Sequence, residues 1–170
     1  MADLVVSGLF GDAAGALVAA GGQAVEGARV AASRSEMYPD SGDTLGWRLG
    51  SDRFRIVLTA ELADVVERRL SGSVSAFLAE HGLTVEEITT WVCHPGGPKV
   101  IDAIQNSLEL PDSALELSRR SLAEVGNLSS ASVLHVLEKT IGADPPPPGS
   151  AGLMIGLGPG VSVELVLLRW

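Results

Sequence analysis

Short apolar runs punctuated by glycine dominate the first forty positions. Residues 4–9 and 14–20 are such runs, bounded by Gly11-Asp12 and Gly21-Gly22, a pattern that predicts short buried strands in preference to one long helix. Residues 48–59 predict two strands around a Gly50-Ser51-Asp52 turn. The period then lengthens. Between 60 and 82, Leu62, Val66, Leu70, Val74 and Phe77 recur at helical spacing, so a helix is expected there, with Thr59 as its N-cap and a break near Ser71-Gly72.

Residues 88–93 read as a strand and run into His94-Pro95-Gly96-Gly97-Pro98. Pro98 suits the first position of a helix over 99–108, whose apolar face is Val100, Ile101, Ile104 and Leu108. A further helix is expected over 112–125, closed by Gly126, and another over 130–140, with Asn127 in the link between them. Pro145 to Pro148 can join neither a helix nor a sheet centre and predict a stiff surface connection. Residues 153–157 and 161–168 flank Gly158-Pro159-Gly160 and form the strongest hairpin candidate. Alternating strands and helices that end in a strand pair predict an α/β class with a mixed sheet packed with helices.

Composition narrows the function. A chain of 170 residues, 46% of them hydrophobic, suffices for one domain with a real core, and no internal repeat is visible. Twenty-one acidic against 12 basic residues give a net charge of −9 with no basic cluster, which disfavours nucleic acid and anionic membranes as partners. The first twenty residues lack a basic leading region and are interrupted by Asp3 and Asp12, so they do not read as a signal peptide. No stretch reaches the roughly 18 apolar residues of a membrane span. One cysteine, Cys93, permits no internal disulfide and suits a reducing cytosol, so a cytoplasmic location is expected. With no clustered His, Cys and carboxylate spacing, no metal site is expected.

His94, at a strand end beside two glycines, can serve as hydrogen-bond donor or base near neutral pH, or can simply satisfy loop carbonyls. Asn127, after a helix stop, carries two amide donors, although an asparagine following glycine is also ordinary turn chemistry. The pair matters more than either member: two donors converging on one point can stabilise a thioester oxyanion or an enolate. Cys93 is adjacent to His94, but consecutive strand residues point to opposite faces, so a buried structural cysteine is the better reading. His81, at a helix end, and His135, inside a helix, have no metal-ligand companions. The glycines of Gly156-Leu157-Gly158 lead into a strand and make no dinucleotide fingerprint.

Taken together, these segments resemble the C-terminal domain of the chalcone and stilbene synthase family, the type III polyketide synthases. Leu9-Phe10-Gly11-Asp12-Ala13-Ala14 resembles the family's LFGDGA segment, and Trp91-Val92-Cys93-His94-Pro95-Gly96-Gly97-Pro98 its HPGGP segment. Ser118-Arg119-Arg120 with Gly126-Asn127-Leu128-Ser129-Ser130-Ala131 resembles SR…GNMSSA, and Gly156-Leu157-Gly158-Pro159-Gly160 resembles GFGPG. Departures are Ala13 for glycine, Leu128 for methionine and His135 for phenylalanine. The resemblance implies the C-terminal half of a thiolase-like fold over residues 1–170, with the N-terminal half and its nucleophilic cysteine missing.

It also implies a catalytic pair, His94 and Asn127, that holds the enolate from malonyl-CoA and the oxyanion of acyl transfer. Phe10 and Phe54 would be gatekeeping phenylalanines, and Gly46, Ser129 and Pro159 would line or shape the cavity. The expected substrates are an acyl-CoA and malonyl-CoA, with no cofactor beyond these coenzyme A thioesters. The expected partner is the missing half. A half so exposed should self-associate, as a homodimer. A β-ketoacyl carrier-protein synthase III-like half and a non-catalytic acyl-CoA-binding or partner-binding half-domain are the alternatives.

Overall fold

The computed structural model describes residues 2–21, 27–52, 54–143 and 145–170. It opens on helix α1 (Ala2–Leu9), followed by strands β1 (Arg29–Met37), β2 (Leu45–Leu49) and β3 (Phe54–Leu58). Helix α2 (Glu61–Ala79) leads to β4 (Ile88–Cys93), α3 (Pro98–Ser107), α4 (Glu116–Val125) and α5 (Ala131–Ala143), and the hairpin β5 (Ala151–Gly158) and β6 (Ser162–Arg169) closes the order. Four strands form one mixed sheet in the order β1-β6-β5-β4, with β4 and β5 parallel and the other pairs antiparallel; β2 and β3 form a separate antiparallel ribbon. This is the expected α/β class.

Strand alternation divides the sheet's side chains between two layers. One face sends Cys93, Leu153, Ile155, Val163 and Leu165 into the main core against the apolar stripes of α2 and α3. The other face carries Val92, fully buried where α5 packs on β4 and β5. Arg119 of α4 donates to Asp102 (2.7 Å) and Gln105 (2.7 Å) of α3, tying the helices together at their exposed edge.

Several expectations fail at the start of the chain. Residues 4–9 lie within a helix, and 11–21 form no regular element and are largely exposed, with Val18 99% exposed. An apolar run becomes a strand only where another strand supplies hydrogen-bond partners, and residues 14–20 find none among the described residues. Gly22 of the expected Gly21-Gly22 turn lies outside the described residues. Conversely β1, a mostly polar segment, is a strand because β6 pairs with it along its length.

The hairpin expected over 48–59 is the ribbon, apart from Arg53 of its turn, which lies outside the described residues. The helix that follows runs unbroken through Ser71-Gly72, because Leu70, Ser73 and Val74 keep its buried stripe continuous and offset the roughly 1 kcal/mol that a mid-helix glycine costs. Its N-cap is Ala60, without a side-chain cap, and the Thr59 hydroxyl is buried with no hydrogen-bond partner among the described residues. The helix expected over 112–125 begins as a 3-10 turn (Asp112–Leu115). The remaining strands and helices match their expected positions to within a few residues at each end.

Candidate functional site

His94 follows directly on β4. Its backbone N–H donates to the Ile155 carbonyl at 2.8 Å, which extends the parallel pairing of β4 with β5 one residue beyond the strand. Alternation then turns Cys93 into the core and His94 to the opposite face, so the two neighbours are not a dyad. Burial pushes the Cys93 thiol up, well away from a thiolate. Ser118 donates to the buried Cys93 carbonyl at 2.8 Å and fixes the strand end from α4. Gly96 crosses close to the imidazole, where a Cβ would sit 3.5 Å from Nε2.

Asn127 reaches the same place from the link between α4 and α5. Its backbone pairs with the chain after α1: Asn127 N donates to the Leu9 carbonyl (2.7 Å), and Gly11 N donates to the Asn127 carbonyl (3.0 Å). Such close contact demands glycine on both sides. A Cβ on Gly126, whose φ is +76°, would lie 2.7 Å from the Leu9 carbonyl oxygen, and one on Gly11 would lie 2.5 Å from that of Val125. The Asn127 side chain is held as firmly. Its Oδ1 accepts from Ser129 N (2.8 Å), which holds Ser129 at a left-handed φ of +55°, and its Nδ2 donates to the Gly96 carbonyl (3.0 Å). That bond uses one of the two amide hydrogens, and the Gly96 it reaches is the residue that lies against the His94 ring.

His94 and Asn127 line one cavity of about 380 Å³. The structure also brings Phe10, Ser129 and Pro159 to its wall, while Gly46 and Phe54 stay outside the lining. Gly46 falls between the inward-facing Leu45 and Trp47, on the ribbon's other face. Phe54 shares the inward face but stands at the far end, 68% exposed and paired with Leu49. The loop carrying Pro159 is fastened to the start of the ribbon and to the segment before it, since Gly160 N donates to the Leu45 carbonyl (2.7 Å) and the Ser41 hydroxyl donates to the Gly160 carbonyl (2.8 Å).

The sequence reading missed Trp47 and Glu164, both of which line the cavity. The hairpin register could have found Glu164, because an acidic residue inside an apolar strand must face out of the core. Apart from His94, Asn127, Ser129, Ser130 and Glu164 the lining is apolar or glycine, and burial lowers the pKa of His94 to about 4. The imidazole of this chain is therefore neutral near pH 7, with one N–H to donate. His81 stacks edge-on against Phe77, and His135 hydrogen-bonds Ser121 at 2.9 Å; neither enters the cavity.

The family of chalcone and stilbene synthases, C-terminal domain, matches residues 29–170. The chain belongs to the chalcone and stilbene synthase family. It is 53% identical to a 1,3,6,8-tetrahydroxynaphthalene synthase of Streptomyces peucetius subsp. caesius, over all of this chain and 46% of that protein. It is 34% identical to a 3,5-dihydroxyphenylacetyl-CoA synthase of Amycolatopsis orientalis, over all of this chain and 47% of the relative. The crystal structure of the 1,3,6,8-tetrahydroxynaphthalene synthase of Streptomyces coelicolor A3(2), a bacterial type III polyketide synthase, superposes with a TM-score of 0.82 at 28% identity, covering 87% of this chain and 42% of that one. The chain spans about half the length of the curated relatives it matches. Its fold is that of the matching part of a type III polyketide synthase, and among the described residues no helix is long and apolar enough to cross a membrane.

Proposed function

We propose that this chain is the part of a type III polyketide synthase, an acyltransferase, that presents His94 and Asn127 to a coenzyme A thioester. The reaction is the decarboxylative Claisen condensation of a starter acyl-CoA with malonyl-CoA, and it needs no cofactor beyond these thioesters. What supports the reading is that His94 and Asn127 line one cavity, with Asn127 Nδ2 held on the Gly96 carbonyl and Gly96 lying against the His94 ring. Two fixed donors in a low-dielectric wall suit an oxygen that gains negative charge, as the malonyl thioester oxygen does when carbon dioxide leaves.

A neutral His94 suits that step, because it donates without bringing a full charge into the cavity. Pairing with a thiolate would reverse the balance, since an adjacent anion favours the imidazolium. The nucleophilic cysteine comes from a second half that docks against this one and accepts the starter group. Cys93, buried and facing the core, does not replace it. The chain alone accordingly extends no polyketide and at most releases acetyl-CoA slowly from malonyl-CoA. It works in the cytoplasm and self-associates through the apolar surface it exposes.

Acetyl-CoA release from malonyl-CoA, compared between the chain and Asn127→Ala, tests the site. The expected loss is about 10²- to 10³-fold, and equal rates would remove Asn127 from the chemistry. Adding a cysteine-bearing half tests the assembly. Restored condensation supports the synthase, whereas acyl-CoA binding without turnover supports a non-catalytic half-domain, and a requirement for carrier-protein thioesters supports a β-ketoacyl synthase III-like half.

A further inference from the structure

Glu164 is the only carboxylate among the described residues that line the cavity, and no Lys or Arg joins it there. It stands on β6 opposite Gly156 of β5 and Ser35 of β1. Because Cys93 pairs with Ile155, the parallel register continued by one residue places His94 beside Gly156. His94, Gly156, Glu164 and Ser35 therefore form one transverse row on one face of the sheet. Strands lie roughly 4.8 Å apart, so Glu164 sits two spacings, about 10 Å, from His94. Gly156 between them has no side chain, which leaves a trough in the floor that connects imidazole to carboxylate. The Ser35 hydroxyl donates to Glu164 Oε2, and no cation pairs with this carboxylate among the described residues, so Oε1 is left to accept from a ligand.

We propose that Glu164 sets the cavity's selectivity: it accepts a hydrogen bond from a hydroxyl at the far end of the bound acyl group and repels groups that end there in a carboxylate. The proposal rests on the reading that this cavity receives the acyl part of a coenzyme A thioester. The distance along the trough separates the two jobs. Malonyl decarboxylation belongs at the His94 and Asn127 end, and recognition of the distal group belongs at Glu164. A carboxylate accepts from a neutral hydroxyl more strongly than a neutral acceptor does, and like charges brought close repel.

The test measures binding of resorcinol, its dimethyl ether and 3,5-dihydroxybenzoate to the 170-residue chain by quenching of Trp47, which lines the cavity. Resorcinol is expected to bind about 5- to 10-fold more tightly than the ether, and the benzoate more weakly than resorcinol. Glu164→Ala should erase both preferences. Glu164→Gln should remove the discrimination against the benzoate while keeping part of the preference for hydroxyls. Gly156→Ala, whose methyl would meet the Glu164 side chain at an ordinary 3.5 Å, should weaken resorcinol without unfolding the chain. Unchanged preferences in a folded Glu164→Ala chain, or no binding of any probe to the unsubstituted chain, would overturn the proposal. Asn127→Ala should slow acetyl-CoA release by about 10²- to 10³-fold yet leave the resorcinol-to-ether ratio alone, so this reading and the condensing-enzyme reading fail separately.

Discussion

The two walls of the cavity are built on different principles. The wall bearing His94 and Asn127 is closed on itself. Strand β4 is locked to β5, Ser118 caps the Cys93 carbonyl, and Asn127 uses its backbone N–H, both carbonyl-type oxygens and one amide hydrogen on partners within the chain. The facing wall is a two-stranded ribbon of half-buried apolar side chains, whose far end exposes Leu49 (78%) and Phe54 (68%). A lone two-stranded ribbon is marginal in water, so this wall depends on what it packs against, whereas the first does not. Under the proposed function, the difference would put the chemistry on the rigid side and the contact with the second half on the open side.

The largest expected break in this contrast is Gly126→Ala. The added Cβ would meet the Leu9 carbonyl oxygen at 2.7 Å with φ at +76°, and neither backbone can move without opening the Asn127 pairing. A loss of about 3 kcal/mol or more is expected in chemical denaturation. Stability within about 0.5 kcal/mol of the parent chain would show that the wall is looser than its hydrogen bonds imply.

A smaller effect comes from pH. Burial lowers the His94 pKa from 6.5 to about 4, so the unfolded chain binds the proton more readily than the folded one. The stabilising contribution is complete above pH 6.5 and is lost as pH falls from 6.5 toward 4, by on the order of 2 kcal/mol or less. Denaturation midpoints compared between the chain and His94→Gln over that range check the sign. If the difference between them stays flat, the imidazole is not desolvated by its wall.

The smallest effect on folding belongs to the open wall. Serine at both Leu49 and Phe54 should change stability by less than about 0.5 kcal/mol, because little of either side chain leaves water on folding. The same substitutions should reduce self-association in sedimentation. A large destabilisation would mean that the ribbon's outer end is part of the core after all.

Local signals carried much of the fold. The glycine and proline punctuation around His94, Gly126 and Gly158-Pro159-Gly160 marked the turns that position the site, because those turns require backbone conformations that few other residues adopt. The helical stripe of α2 and the strand of β4 were legible for the same reason: their periodicity is set within a few residues. The opening segment was misread, since residues 4–9 and 14–20 are apolar enough for strands but only a neighbouring strand makes a strand. Thr59 looked like a cap and is not one, because capping depends on where the helix starts in space.

By itself, the sequence determined the class, the order of elements from residue 48 onward, and the two residues, His94 and Asn127, that line one cavity. It placed Cys93 and His94 on opposite faces through nothing more than the two-residue period of a strand. Only the tertiary structure decided that Asn127 leans on Gly96, that burial leaves His94 neutral, that Gly46 and Phe54 stand outside the lining, and that Glu164 shares a row with His94. Each of these depends on register between strands distant in sequence, or on which surfaces exclude water, and such relations arise only when separate segments of the chain meet.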